Sequence, residues 1–223
     1  MKLSELFKTC DDPTGYQEVG HSVNYKFQEK GDRLIIYFQG SNSIWDWIRN
    51  FMFGKRPYKD MSVPYRVHRG FLAAWKEVED IIIDKITERG GGDYKWKDIT
   101  VVGYSHGGAL CTFCVECVWF HRPDLRHGGM RGYAFEAPRI FAHWKLPKEL
   151  AERWEDLYVF RDGNDIVTHC PPILFGYHNL GSMVKIKGDY RLVDKKWTPR
   201  CVKYHYPQVV YDGLIKFEGE IME

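Results

Sequence analysis

The chain has 223 residues, of which 44% are hydrophobic and 16% aromatic, so it is long enough for one full hydrophobic core and short for two. We therefore expect a single domain over residues 1–223. Lysine and arginine total 32 against 30 acidic residues, a formal net charge of +2 with no basic run, which argues against nucleic acid as a partner.

The apolar stretches of the chain are short. Residues 1–10 carry charges that include Lys2 and Lys8, which does not fit a secretory leader. The longest apolar run, residues 109–120, is interrupted by Glu116 and is too short to cross a bilayer. These features predict a cytoplasmic protein without a transmembrane segment, with export by a leaderless route, or a leader that has been removed, as the alternatives.

Six cysteines without a leader indicate reduced thiols and not a disulfide framework. Cys111, Cys114 and Cys117 are spaced by three within a helical pattern, which favours small core residues over ligands of a metal or cluster. The nine histidines show no zinc-type pairing. We expect neither a metal nor a cofactor.

Predicted strands and helices alternate along the chain. The hydrophobic and turn patterns predict strands at 23–28, 33–39, 99–103, 132–135 and 157–161, and helices at 71–89, 109–120, 147–154 and 207–217. Alternation of this kind is typical of an α/β protein whose central sheet is mostly parallel and carries helices on both faces.

The strongest motif is the Gly-Tyr-Ser-His-Gly-Gly sequence at 103–108, which matches the Gly-x-Ser-x-Gly nucleophile elbow of α/β-hydrolases. It falls between a predicted strand and a predicted helix, where such a turn exposes its serine. Ser105 is therefore the candidate nucleophile, and the N–H of His106 is the candidate oxyanion donor. A glycine-rich turn that only closes a strand-helix unit is the alternative.

A nucleophilic serine requires a histidine base and a carboxylate, which in this fold follow the serine in the order acid, then histidine. Asp162 and Asp165 both follow the strand predicted at 157–161, and position alone does not choose between them. Downstream histidines are His169, His178 and His205. Placement just before the last helix favours His205.

These motifs together resemble the fungal-type triacylglycerol lipase family, the class 3 lipases, over residues 34 to 214 or so. The resemblance rests on segments 36–41, 67–71, 103–108, 137–139 and 164–167. It implies an α/β-hydrolase fold, a second oxyanion donor at Ser41, and a catalytic triad of Ser105, Asp165 and His205. Segment 176–178 matches a part of the family that is not catalytic.

The chain departs from the family pattern at several positions. Glu136 stands where the family commonly has glycine, Gln39 replaces a frequent arginine, and Thr168 replaces a frequent proline. None of these positions belongs to the implied triad. Secreted members usually carry a leader and disulfides, and the absence of both features argues against an extracellular role.

An apolar segment at 43–54 follows Ser41 and has the pattern of an amphipathic helix. In similar lipases this region forms a lid over the active site, so a lid is implied here. Its apolar face would include Trp45, Trp47, Ile48 and Phe51. A short helix packed permanently on the core is the alternative.

The combined prediction is a serine hydrolase that cleaves carboxylic esters, in particular lipid (acylglycerol) esters, through an acyl-enzyme. Its expected partners are a small-molecule or lipid ester and, transiently, a lipid surface. A phospholipase or a short-chain esterase on the same scaffold is one alternative. A catalytically silent lipid-binding protein is another.

Overall fold

A computed structural model describes residues 2–20, 23–40, 54–58, 65–143 and 148–220. The α-helices of these residues are α1 (Leu3–Asp11), α2 (Arg69–Ile86), α3 (His106–His121), α4 (Lys148–Ala151), α5 (Arg200–Lys203) and α6 (Pro207–Glu220). The strands are β1 (Gln17–Val19), β2 (Val23–Lys30), β3 (Arg33–Phe38), β4 (Lys55–Tyr58), β5 (Tyr65–His68), β6 (Arg89–Gly90), β7 (Asp93–Tyr94), β8 (Asp98–Tyr104), β9 (Met130–Phe135), β10 (Leu157–Asp162) and β11 (Ser182–Ile186).

The main sheet has the strand order β1-β2-β3-β8-β9-β10-β11. Strands β3, β8, β9, β10 and β11 run parallel to one another, whereas β2 pairs antiparallel with β3 and β1 pairs antiparallel with β2 at one edge. The prediction of a mostly parallel central sheet is confirmed. Because the parallel strands share one carboxyl edge, the loops that follow them meet there.

Side chains that alternate along β3 belong to two different cores, one on each face of the sheet. Leu34, Ile36 and Phe38 pack into the core that contains the apolar faces of α2 and α3. Ile35 and Tyr37 pack into the core that contains α1 and α6. Helices therefore cover both faces, as predicted.

Helix α2 is amphipathic, and its apolar residues at helical spacing are buried. The helix begins after His68, whose ring Nδ1 accepts hydrogen bonds from the N–H groups of Gly70 (3.2 Å) and Phe71 (3.4 Å). It ends at Ile86 and not at residue 89 as predicted, because Arg89 pairs with Tyr94 in the β6–β7 hairpin.

Helix α3 is buried on nearly every side. Cys111, Cys114 and Cys117 are fully buried, which confirms that they are core residues, and burial raises the pKa of all three thiols. The helix begins at His106, three residues before the predicted start, because the nucleophile turn leads directly into its first turn. Of the helices that the structure describes, none is long and apolar enough to cross a membrane.

Candidate active site

The turn after β8 places Ser105 at the carboxyl edge of the sheet with a strained backbone, φ 54° and ψ −118°. Such a turn leaves no room for side chains on its flanks. A Cβ on Gly103 would lie 2.0 Å from the carbonyl oxygen of Gly107, and a Cβ on Gly107 would lie 2.1 Å from that of Phe38. The glycines at these two positions are therefore steric requirements of the elbow.

Three predicted residues form one continuous hydrogen-bonded chain. His205 Nε2 lies 2.7 Å from Ser105 Oγ, and His205 Nδ1 lies 2.5 Å from Asp165 Oδ2. Asp165 and His205 are fully buried, and Ser105 is 7% exposed. The structure thus brings a hydroxyl, an imidazole and a carboxylate together in the order that serine hydrolases use.

The position of His205 is set by the loop between α5 and α6. Its N–H donates to the carbonyl of Val202 at 3.0 Å. The Tyr104 hydroxyl donates to the His205 carbonyl, and the Tyr104 ring stacks on the imidazole with centroids 5.3 Å apart. The residue that precedes the serine therefore also supports the histidine.

Asp165 and Asp162 have different partners, which separates the two candidates for the acid. Asp162 Oδ1 accepts from the N–H of Asn164 at 2.9 Å, and its Oδ2 accepts from the N–H of Gly188 at 3.1 Å. Asp165 Oδ1 accepts from the N–H of Val167 at 2.9 Å, which leaves Oδ2 facing His205. Asp162 closes the turn, and Asp165 contacts the imidazole.

The other two histidines weighed in the sequence have different surroundings. His169 Nδ1 lies 2.8 Å from the carbonyl oxygen of Asp165, inside the turn itself. The N–H of His178 donates to the carbonyl of Phe141 at 2.8 Å, in an isolated bridge outside the main sheet. Among the described residues, His205 is the histidine that contacts Ser105.

His106 is the first residue of α3, so its N–H has no acceptor within the helix and lies beside Ser105. The His106 side chain is buried against Phe71, with ring centroids 5.7 Å apart. Burial lowers the pKa of this imidazole to about 4, so the ring is neutral at pH 7. The predicted second donor, Ser41, lies outside the described residues.

The predicted lid also falls almost entirely outside the described residues, since only Gly54 of segment 43–54 is among them. Trp45, Trp47, Ile48 and Phe51 are all in the part that is not described. Their predicted role stays a prediction.

Glu136 is a site residue to which the sequence assigned no role. It is fully buried at the end of β9, and one of its carboxyl oxygens, one of Asp165 and a ring nitrogen of His205 lie within 4.8 Å of one another. Three such donor atoms could hold a metal ion, but here Asp165 and His205 bond to each other and His205 also to Ser105. The only sequence signal for Glu136 is that it replaces a common glycine.

Comparison with known sequences identifies a family. The sequence model of the family described as Lipase (class 3) matches residues 35–175. The secreted mono- and diacylglycerol lipase 1 of Fusarium solani is 30% identical over 187 residues, which cover 81% of this chain and 50% of that protein. A lipase of Rhizomucor miehei is 29% identical over 154 residues, which cover 66% of this chain and 40% of that lipase. The chain thus spans about half the length of these curated relatives.

The prediction of a cytoplasmic location is contradicted by the Fusarium relative, which is a secreted lipase. That prediction rested on charges near the beginning of the chain and on unpaired cysteines. Neither feature decides the compartment of a chain that spans about half of its relative.

Solved structures show the same fold. A triacylglycerol lipase whose catalytic centre is a serine protease triad superposes with a TM-score of 0.62 at 24% identity, over 77% of this chain and 66% of that one. Lipase II from Rhizopus niveus also gives a TM-score of 0.62, at 22% identity, over 74% of this chain and 62% of its own. With the family match over residues 35–175, the conclusion is that this chain belongs to the class 3 lipases and has the α/β-hydrolase fold.

Proposed function

We propose that this protein hydrolyses carboxylic esters of lipids, with Ser105 as the nucleophile, His205 as the general base and Asp165 as the acid that orients it. The observation that carries the proposal is the buried chain from Ser105 Oγ through His205 to Asp165, with contacts of 2.7 and 2.5 Å. A serine hydroxyl is a weak nucleophile by itself, and this arrangement supplies the base that it needs.

In the first half of the reaction, His205 Nε2 accepts the Ser105 proton while Oγ attacks the ester carbonyl carbon. Asp165 stabilises the imidazolium through Nδ1. The N–H of His106, at the positive end of α3, donates to the oxyanion, with Ser41 as the proposed second donor. When the intermediate collapses, the bond to the alcohol oxygen breaks and His205 protonates the leaving alcohol.

In the second half, His205 takes a proton from a water molecule, which attacks the acyl carbon of the Ser105 ester. The tetrahedral intermediate forms at the same oxyanion donors. Its collapse breaks the bond to Ser105 Oγ, which regains the proton from His205 and releases the carboxylic acid. Every proton passes through His205 Nε2, so the contacts that hold this ring control both halves.

A lipid substrate is supported by the relatives and by an exposed apolar turn. One relative is a lipase of mono- and diacylglycerols, and its secretion supports an extracellular site of action. Eight residues beyond Asp165, Ile173, Leu174 and Phe175 are 52%, 85% and 51% exposed. Exposed apolar side chains in one turn favour transient contact with a lipid surface.

The test of the proposed nucleophile is Ser105→Ala, which should lose nearly all ester hydrolysis while remaining folded. A fluorophosphonate probe should label the wild type at Ser105 and leave Ser105→Ala unlabelled. Undiminished hydrolysis by the purified variant would rule out Ser105. A wild-type protein that is folded but neither labels nor hydrolyses would instead be the silent lipid-binding protein.

The substrate class is tested with a series of esters. An acylglycerol lipase should hydrolyse long-chain acylglycerols, with activity that rises when the substrate forms an emulsion. A short-chain esterase would lose activity as the acyl chain lengthens, and a phospholipase would require a phosphate head group. Rates for the three substrate types, with and without micelles, separate these outcomes.

A further inference from the structure

Glu136 occupies a backbone conformation that disfavours any side chain. Its φ is 46°, and together with Ser105 and His127 it is one of the non-glycine residues with positive φ in the described part of the chain. Strands β8 and β9 pair Tyr104 with Phe135, so the two strained residues that follow, Ser105 and Glu136, are neighbours. A strained residue with an ionisable side chain at the carboxyl edge points to a function of that side chain.

The Glu136 side chain points into the site and is fully buried. Its Oε1 accepts a hydrogen bond from the N–H of Asp162 at 2.8 Å. Its Oε2 is also buried and meets no N–H or hydroxyl donor among the described residues. A Glu136 oxygen lies within 4.8 Å of Asp165 and His205, and the two carboxyl groups interact.

Two buried carboxyl groups at this separation do not both stay ionised. Within the described chain, neither Glu136 nor Asp165 forms an ion pair with a lysine or arginine. Asp165 accepts hydrogen bonds from the N–H of Val167 and from His205, both of which favour its carboxylate, whereas Glu136 accepts from one backbone N–H only. The proton therefore belongs on Glu136.

Other titratable groups that interact with Glu136 leave this assignment unchanged. Burial raises the pKa of Glu136 itself well above its usual range, and the Asp165 carboxylate raises it further. Burial likewise raises the pKa of Tyr104, on β8, so that hydroxyl stays protonated. Asp162, on β10, accepts from two backbone N–H groups and adds further negative charge beside Glu136.

We propose that Glu136 is a protonated positioning residue, whose carboxylic acid donates from Oε2 to the Asp165 carboxylate and holds it against His205. The site is then a chain of four side chains, Ser105, His205, Asp165 and Glu136. A neutral donor fixes Asp165 without adding a second negative charge beside the imidazole. This inference rests on the proposed triad and extends it by one residue.

The test compares Glu136→Gln with Glu136→Met, two unbranched side chains of similar length under the same backbone strain. Glutamine keeps a neutral donor, and methionine has none. We expect Glu136→Gln to keep kcat within about threefold and the acidic limb of kcat/KM unchanged. We expect Glu136→Met to lower kcat by about 10- to 100-fold with little change in KM, because Asp165 is no longer fixed. Its acidic limb should move to higher pH, since a carboxylate without its donor attracts the imidazolium more strongly.

Two results would overturn the inference. An acidic limb that moves about one unit or more to lower pH in Glu136→Gln would mean that Glu136 is ionised in the wild type, because the substitution would have removed a negative charge beside His205. Wild-type kcat and pH profile in Glu136→Met would exclude a positioning role. If Glu136→Met does not fold, Glu136→Gly removes the donor and the backbone strain together, and the same outcomes apply.

A readout that does not depend on activity separates this inference from the proposed function. The infrared difference spectrum of the wild type minus Glu136→Gln at pH 7 should show a carboxylic acid carbonyl band, since the band of the buried Glu116, whose pKa burial raises to about 7, is common to both proteins and cancels. The band would stay even if Ser105→Ala showed that Ser105 is not the nucleophile. Absence of the band from this difference spectrum, with a wild-type enzyme that is active and labelled at Ser105, would overturn the assignment of the proton alone.

Discussion

At the scale of single residues, His106 combines a backbone N–H beside Ser105 with an imidazole whose pKa is lowered by burial. The imidazole is 6% exposed, and burial lowers its pKa from 6.5 to about 4. A histidine with a depressed folded-state pKa contributes stability above its unfolded pKa and loses that contribution as the pH falls through the folded value. The window is therefore pH 6.5 down to about 4.

We expect the free energy of unfolding to fall by about 3 kcal/mol across this window because of His106 alone. Urea unfolding at closely spaced pH values measures the slope of the free energy of unfolding against pH. His106→Gln, which does not titrate, should flatten the slope between pH 6.5 and 4, whereas His143→Gln at an exposed position should leave it unchanged. An unchanged slope in His106→Gln would show that other groups carry the acid sensitivity.

Residues of the site differed in how far the sequence could predict them. Ser105 could be predicted as the candidate nucleophile from six consecutive residues, because a nucleophile elbow requires only a strand, two glycines and a helix. Asp165 and Asp162 could not be separated from position alone, since the difference lies in the N–H groups of Asn164 and Gly188 that bind Asp162. Glu136 could not be assigned at all, because no local pattern relates it to a carboxylate 29 positions later.

At the scale of elements, α3 depends on one buried ion pair. Glu116, in the middle of the helix, lies 2.5 Å from Arg153 and accepts from the Tyr65 hydroxyl, so it ties α3 to β5 and to the turn after α4. Both charged groups are almost completely buried. Removal of one partner leaves the other charge buried and unpaired.

We expect Glu116→Leu or Arg153→Met alone to lower the free energy of unfolding by about 3–5 kcal/mol. The double variant Glu116→Leu with Arg153→Met should recover most of this loss, because neither charge is then left unpaired. Urea unfolding of the two single variants and the double variant gives the interaction energy between residues 116 and 153. Losses that simply add would show that the pair does not act as a unit.

Elements were predicted best where one face alone is buried. The spacing of apolar residues predicted α2, but it placed the end of the helix at residue 89 and not at Ile86. Arg89 belongs instead to the β6–β7 hairpin, where it pairs with Tyr94. Helix α1 was not predicted, since its alternating charges resembled an exposed terminus, although Leu6, Phe7 and Cys10 are buried. Strands β4 and β5 were not predicted, and β4 has no apolar strand pattern because it begins with Lys55, Arg56 and Pro57.

At the scale of the whole molecule, residues that are far apart in the sequence lie together at the carboxyl edge of the sheet. Ser105 follows β8, Glu136 follows β9 and Asp165 follows β10, and these three strands are neighbours in that order. The parallel arrangement therefore accounts for the convergence of side chains that are 60 positions apart along the chain. Alternation of strands and helices was enough to predict this edge, but not the contacts made there.

The exposed turn at Ile173, Leu174 and Phe175 follows Asp165 closely, and under the proposed function it is the surface that we expect to contact lipid. Leu174 is 85% exposed, and burial of a leucine side chain contributes about 1.5–3 kcal/mol. We expect Leu174→Ser to weaken partitioning into phosphatidylcholine vesicles by about tenfold, with a similar loss of activity on emulsified esters. Hydrolysis of a dissolved short-chain ester should be unchanged, because Leu174 makes no contact with Ser105, His205 or Asp165 among the described interactions.

The matched control is Ile215→Ser, which removes an apolar side chain that is 47% exposed on α6. If the turn meets the lipid, Ile215→Ser should keep wild-type partitioning and wild-type activity on emulsions. An equal loss in both variants would mean that general surface hydrophobicity sets the affinity for lipid. Loss of activity on the dissolved ester in Leu174→Ser would instead indicate that the turn shapes the site near Asp165, since a surface contact has no effect on a substrate in solution.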